Sequence, residues 1–244
     1  MVRVFFNLVY YRIVEYLHVR QAIFFSVVFP VFLFVIMTSL WGNVNVDYSN
    51  FMLTGVIGMT IASEGIFSIG QSVKRFYMSG MIKYIRKMPF SVLFYMMSIV
   101  VAKIINLMVI IALMYTIGII FFECTITPID IVNAISGLLI GLTQFSFIGL
   151  ALYFINIRME SEKSIVHIVY LLTIFVSDVF YSVGDISVAI KTIGNILPLN
   201  GILNIIRYGI YNWSILPWII IPVCIFIILI KIFNCRQIPC LIKN

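Results

Sequence analysis

The sequence has 244 residues, of which 63% are hydrophobic and only 10% are charged, and its mean hydropathy is +1.15. These values exclude a soluble globular domain and indicate a polytopic membrane protein. The net charge of +7 does not require a nucleic-acid partner, because the cytoplasmic loops of membrane proteins are themselves rich in Lys and Arg.

The chain begins with an amphipathic stretch over residues 2–19. Arg3, Arg12 and Glu15 make this stretch too polar to span a membrane. Apolar residues repeat at helical spacing along one side, at Val2, Phe6, Val9, Ile13 and Leu17. We therefore predict an interfacial helix that lies in the plane of the membrane surface. Because charges run through it, it does not have the pattern of a cleavable signal peptide.

Six later segments each reach the roughly 20 apolar residues that a bilayer core needs. They cover residues 21–41, 51–70, 91–122, 131–155, 165–183 and 214–233. The predicted fold is an all-α polytopic membrane protein, a single transmembrane domain over residues 1–244 with six transmembrane helices.

The distribution of charge predicts the orientation. With six spans, both termini and the loops after spans two and four share one side, which carries thirteen of the sixteen Lys and Arg residues. The charged residues of the opposite loops are Asp47, Glu123, Asp130, Asp185, Lys191 and Arg207. The positive-inside rule therefore places both termini in the cytoplasm, and we expect no nucleic-acid partner.

The four cysteines predict neither a disulfide nor a metal site. Cys235 and Cys240 fall on the cytoplasmic side, Cys224 lies in the last span, and only Cys124 lies near the outer face. No intrachain pair is then available on the oxidising side, and no pair has metal-ligand spacing.

The one long basic interruption, residues 71–90, lies between spans two and three. Its centre predicts a short amphipathic helix that a partner protein binds, with Met81, Tyr84, Ile85 and Met88 on the apolar side. The alternative is a basic loop that follows the topology and contacts anionic lipid. The predicted contact residues are Gly80, Met81, Ile82, Lys83, Tyr84, Ile85, Arg86, Lys87, Met88 and Pro89.

Residues 186–209 are too polar to cross the membrane and too apolar for an ordinary loop. We predict two short external helices that dip into, or lie on, the outer leaflet. Pro198 would end the first, Asn200 would cap the second and Gly209 would close it. An amphipathic surface loop without function is the alternative.

Three ionisable residues inside spans are candidates for function, because burying a charge in a membrane is costly. At about 1.5 Å per residue, Glu64 lies roughly 20 Å below the start of span two, and Lys103 roughly 28 Å from the outer end of span three. This common depth predicts an ion pair between them. Alternatively, Lys103 reaches the headgroups and Glu64 faces a wet cavity. Asp178, near the outer end of span five, either lines a pathway or caps the external helices.

Span four contains Gly137 and Gly141 in GxxxG spacing, which permits close helix packing. The order of elements resembles that of the permease subunits of type 2 ABC transporters, over almost the whole chain. Gly80 with the basic run that follows it, Pro89 before Ser91, and Pro198 with Arg207 are similar to motifs of that family. One departure is that Lys74 and Arg75 stand where the family usually has an acidic residue.

The resemblance implies an exporter of an amphipathic molecule, such as a drug, peptide or lipid, in a bacterial plasma membrane. It implies two cytoplasmic ATPase subunits that bind ATP and Mg, membrane lipids around the spans, and a second permease copy, by symmetry a homodimer. The chain itself has no GxxxxGK[ST] phosphate loop, so we predict that it carries no cofactor and is not an enzyme. An ion-coupled secondary transporter or a gated channel is the alternative, and a membrane enzyme is a third reading.

Overall fold

The structure is a computed structural model that describes residues 2–41, 46–79, 92–155, 162–182, 192, 194, 196–211 and 216–225. Helices account for nearly all of these residues, and no β-strand occurs among them. Four helices are long and apolar enough to cross a membrane. The predicted all-α membrane class is therefore confirmed, whereas the count of six spans stays a prediction.

Helix α1 (Val2–His18) is followed by helix α2 (Arg20–Trp41), and the extended backbone of Val19 separates the two. Helix α2 contains one π-helical turn, Phe24–Val28. Pro30 explains this turn. Proline has no backbone N–H to donate and its ring clashes with the carbonyl four residues earlier, so the helix widens just before it.

Helix α3 is the most enclosed of the four long helices. It comprises an α-helical stretch Val46–Ser63, a π-helical stretch Glu64–Gly70 and a final α-helical stretch Gln71–Met78. In its most apolar stretch 78% of the residues are buried, against 22%, 33% and 56% in the other three long helices. Helix α3 is therefore the centre of the bundle.

Helices α4 (Val92–Phe122) and α5 (Pro128–Ile155) are joined by a short ordered turn. The backbone N–H of Cys124 donates to the carbonyl of Gly118 at 3.1 Å. Asp130 Oδ2 accepts hydrogen bonds from both the backbone N–H and the hydroxyl of Thr127, each at 2.8 Å. Such a capping box fixes the start of α5 three residues before the predicted position.

Helix α6 (Glu162–Val176) ends earlier than the predicted fifth span, which continues to residue 183. After it the chain turns, with the N–H of Ser177 donating to the carbonyl of Ile174 at 3.2 Å. The described part of a further apolar helix, α8 (Leu216–Ile225), falls within the predicted sixth span.

Helix α7 (Pro198–Tyr208) is a short helix that packs antiparallel to α5 and against α3. A side chain at Gly137 would come within 2.5 Å of Ile206, and one at Gly141 within 3.1 Å of Ile202. The GxxxG spacing of α5 therefore serves close packing within this chain.

The ends of α7 only partly match the prediction. Leu197 is the N-cap and Pro198 opens the helix, so the prediction that Asn200 caps it is wrong. That Pro198 ends the preceding external helix stays a prediction. Proline is favoured at the first helical position because its missing N–H would have no partner there. Gly209 closes the helix in the left-handed conformation at φ 65°, as predicted. The first external helix falls largely outside the described residues.

Candidate functional site

The ion pair predicted between Glu64 and Lys103 is present in the structure. Lys103 Nζ donates to Glu64 Oε2 at 3.0 Å, which ties α3 to α4. The hydroxyl of Ser26 on α2 donates to Glu64 Oε1, the other carboxylate oxygen. One carboxylate thus receives hydrogen bonds from two neighbouring helices.

Both charges are largely buried, the Glu64 side chain being 9% exposed and that of Lys103 14%. Two charges removed from water remain stable only when their hydrogen-bonding capacity is met. Ser26 satisfies the carboxylate oxygen that Lys103 leaves open. The pair is therefore a structural link whose loss would leave an uncompensated buried charge.

Helix α1 also contributes a side chain to the surroundings of the ion pair, the ring of Tyr16. The ring of Tyr16 lies 4.3 Å from Lys103 Nζ, a cation–π contact that shares the lysine with Glu64. Burial raises the pKa of the Tyr16 hydroxyl, so this ring stays neutral. Nearer the start of α4, Arg12 lies over the ring of Tyr95 at 4.8 Å. We call Tyr16, Ser26, Glu64 and Lys103 the ion-pair cluster.

The ion-pair cluster coincides with irregular helix geometry on two of its helices. Ser26 lies in the π-helical turn of α2, and Glu64 is the first residue of the π-helical stretch of α3. Such turns shift the direction of side chains and are frequent at functional sites. Behind Glu64 the backbones almost touch, since a side chain at Gly65 would meet Phe145 at 2.6 Å. Helix α5 thus supports the irregular stretch from the far side.

The ion-pair cluster joins the two helices on either side of the basic interruption of residues 71–90, which we call the coupling segment. The first part of this segment, Gln71–Met78, continues helix α3, and α4 begins after it at Val92. The ten predicted contact residues, 80–89, lie outside the described residues. The structure thus describes the two helices that bear the segment, together with the contact between them.

A second polar grouping lies around Arg207, near the other end of α3. Arg207 Nε donates to the hydroxyl of Thr54 at 2.9 Å, and its Nη2 donates to the carbonyl of Phe51 at 3.1 Å. The guanidinium also lies over the ring of Phe51, 3.7 Å from its centroid. These contacts anchor the C-terminal end of α7 to α3.

The other end of α7 is attached to the turn after α6. Asn200 Oδ1 accepts a hydrogen bond from the backbone N–H of Asp178 at 2.8 Å, and Asn200 Nδ2 lies 3.4 Å from Asp178 Oδ2. Of the two roles that the sequence leaves open for Asp178, contact with the external region is the one that the structure describes. Pro198 stands at the first position of α7 and starts the helix.

Replacing Asn200 with alanine is expected to destabilise the protein by about 1–3 kcal/mol, because the partly buried backbone N–H of Asp178 would lose its acceptor. Thermal unfolding of the purified protein in detergent measures this loss. Asn204→Ala is the matched control on the same helix, where no described side-chain hydrogen bond is removed. Equal melting temperatures for the two variants would contradict the assignment.

Sequence reasoning missed three contributors, Ser26, Tyr16 and Thr54. Ser26 and Thr54 lie in apolar helices, where Ser and Thr side chains commonly bond to their own backbone, and Tyr16 is one of several tyrosines on an amphipathic helix. The sequence signal at Ser26 is its place four residues before Pro30, because a proline disturbs the backbone hydrogen bond to the residue four positions earlier. Over the parts of the chain that the structure describes, no group of His, Cys, Asp and Glu residues is arranged to hold a metal.

Comparison with known families gives one match. The sequence model of the family described as ABC-2 type transporter matches residues 3–211. The matched region includes the ion-pair cluster, the Arg207 anchor and all helices from α1 to α7. No curated protein matches the sequence.

Proposed function

The chain belongs to the ABC-2 type transporter family. We therefore propose that it is the membrane-spanning permease subunit of an ATP-driven exporter. It moves an amphipathic substrate, such as a drug, peptide or lipid-like molecule, out of the cytoplasm or the inner leaflet. Energy comes from a separate ATPase subunit that binds ATP and Mg. The family match favours this function over an ion-coupled secondary transporter or a gated channel.

The proposed topology has six spans and cytoplasmic termini. Four long apolar helices supply spans one to four, and the shorter helices α6 and α8 are parts of spans five and six. The asymmetric distribution of Lys and Arg supports the orientation. In this topology the ion-pair cluster lies toward the cytoplasmic side and the Arg207 anchor toward the outside.

One contact supports the mechanism, the Glu64–Lys103 ion pair at 3.0 Å. It connects the two helices on either side of the coupling segment. A displacement of that segment by the ATPase therefore acts on α3 and α4 together, and α1 follows through the Tyr16 contact. Packed helices that are linked in this way move as a rigid body rather than sliding past one another.

The assembly that we propose contains two copies of this chain and two ATPase subunits. Six spans from one chain form too thin a bundle to enclose a path for an amphipathic molecule, so the path lies between two copies. The outward faces of α2 and α4 carry exposed apolar side chains such as Phe25, Phe32 and Ile120, which suit lipid or the second copy.

Substituting both Tyr84 and Ile85 with aspartate is expected to abolish binding of the ATPase while the chain still inserts into the membrane. Two carboxylates on the apolar side of the coupling helix cannot enter a hydrophobic groove without a large desolvation penalty. Copurification of a phosphate-loop ATPase with the affinity-tagged chain, quantified by mass spectrometry, measures the effect.

The conservative pair Tyr84→Phe and Ile85→Leu is the matched control and should retain the ATPase. Insertion is checked in both variants by the amount of protein in the membrane fraction. If the aspartate variant retains the ATPase as well as the control does, residues 71–90 are only a basic loop and the coupling role is refuted.

A further inference from the structure

The Arg207 side chain has more hydrogen-bonding capacity than its anchor uses. A guanidinium carries five N–H donors, and the bonds to Thr54 and Phe51 occupy two of them. Nη1 makes no hydrogen bond to any described residue. Its two N–H donors are therefore available to a ligand from outside the described residues.

The charge of Arg207 has no counter-ion on this chain within the described residues. Burial lowers the pKa of the guanidinium to about 10, so the side chain is still a cation at neutral pH. Asp178 attracts it only from beyond ion-pair distance, and its carboxylate lies against Asn200. A cation that is mostly removed from water without a paired anion is costly, which favours an anion from outside the chain.

The guanidinium is also held in a fixed orientation, which is the second requirement of a binding site. Phe51 contacts it with both its carbonyl and its ring. Gly55 packs closely against it, since a side chain at this position would lie 3.3 Å from Nη2. Fixing the side chain in advance removes the entropy cost of ordering it when an anion binds. Next to it, Tyr208 is 65% exposed and Tyr211 is 59% exposed.

We propose that Arg207 is an anion-binding site that accepts a phosphate group through Nη1. Arginine suits phosphate because its planar donors match the spacing of phosphate oxygens. The exposed rings of Tyr208 and Tyr211 give the surroundings of Arg207 the character of a membrane interface, where phosphate headgroups lie beside aromatic rings. The phosphate belongs either to an anionic lipid headgroup or to a small soluble phosphate. Only the assignment of this site to the outer leaflet rests on the proposed topology.

The test measures binding to the full-length chain in a non-ionic detergent by isothermal titration calorimetry. Three probes are compared: short-chain phosphatidylglycerol, the matching neutral diacylglycerol, and inorganic phosphate. Arg207→Gln is expected to weaken phosphatidylglycerol binding at least about tenfold and to leave diacylglycerol binding unchanged. Competition by inorganic phosphate at low concentration identifies a small-anion site, whereas its absence identifies the lipid headgroup as the source.

Two control variants separate charge from folding. Arg12→Gln removes the same charge from α1 and should bind phosphatidylglycerol as the wild type does. Asn200→Ala destabilises α7 at its other end and leaves the guanidinium and its contacts in place, so it should lower the melting temperature while binding stays within about threefold. Equal binding by the wild type and Arg207→Gln would overturn the proposal, and so would equal weakening by Arg207→Gln and Asn200→Ala. No ATPase is present, so the outcome is independent of the exporter function.

Discussion

Glu64→Lys is expected to cause the largest loss of stability among single substitutions in the ion-pair cluster. The variant would bring two ammonium groups together where Lys103 now lies 3.0 Å from a carboxylate oxygen. Breaking a buried ion pair by removing one partner costs about 3–5 kcal/mol. The measurement is the fraction of monodisperse protein recovered after detergent extraction, together with its melting temperature. Both values should fall well below those of the wild type.

The double reversal Glu64→Lys with Lys103→Glu tests whether the loss reflects the pair. The hydroxyl of Ser26 can accept as well as donate, so it can serve an ammonium at position 64. The ring of Tyr16 would lose its cation, which makes the expected recovery incomplete, at about half of the lost stability. A double variant as unstable as Glu64→Lys alone would show that the two residues do not act as a pair.

Gly55→Ala has the second largest expected effect, although it adds only one methyl group. That methyl would lie 2.1 Å from the backbone carbonyl oxygen of Val179, which cannot move aside as a side chain could. Relief requires α3 to shift away from the turn after α6, and this also disturbs the Arg207 anchor. Overpacking of this kind costs about 1–3 kcal/mol. Thermal unfolding should reveal a clear loss.

Gly118→Ala is the matched control, because a side chain there would meet only side-chain atoms. The nearest are Leu53 Cδ2 at 3.3 Å and Cys124 Sγ at 3.4 Å, and both can yield by small rotations. Its melting temperature should remain close to that of the wild type. If Gly55→Ala were equally well tolerated, α3 and the turn after α6 could not be in the close contact described.

The sequence was most informative where a physical constraint left few choices. The length of a bilayer core located the four long helices, and the rise per residue placed Glu64 and Lys103 at one depth. Together with the cost of burying charge, that depth predicted their ion pair, which the structure describes. The GxxxG spacing likewise predicted close packing, and Gly209 predicted the end of α7 through its freedom to adopt a positive φ.

The sequence was least informative where two environments look alike. The residues of the predicted apolar stripe on α1 do not share one environment, because Val9 is buried whereas Phe6 is 66% exposed and Leu17 is 57% exposed. In a membrane protein an apolar face suits lipid and protein equally, so periodicity alone does not choose between them. The face that packs on α4 was selected by specific contacts of Phe5, Arg12 and Tyr16.

The start of α7 was missed for a similar reason. Proline both ends one helix and begins another, and Asn200 has the residue type of an N-cap, so the local pattern fitted an N-cap three residues after the observed one, Leu197. The partner of Asn200 is Asp178, 22 residues away in sequence. Unlike the buried charges of Glu64 and Lys103, a side-chain amide and a backbone N–H carry no cost of burial that would connect them in the sequence.

If this chain is the permease of an ABC exporter, it should be isolated together with its ATPase subunits. Mass measurement of the intact, detergent-extracted assembly under non-denaturing conditions determines its composition. We expect a complex of two copies of this chain and two copies of a phosphate-loop ATPase. A chain that is extracted in folded form without any ATPase, from cells in which it is functional, would refute the proposed function.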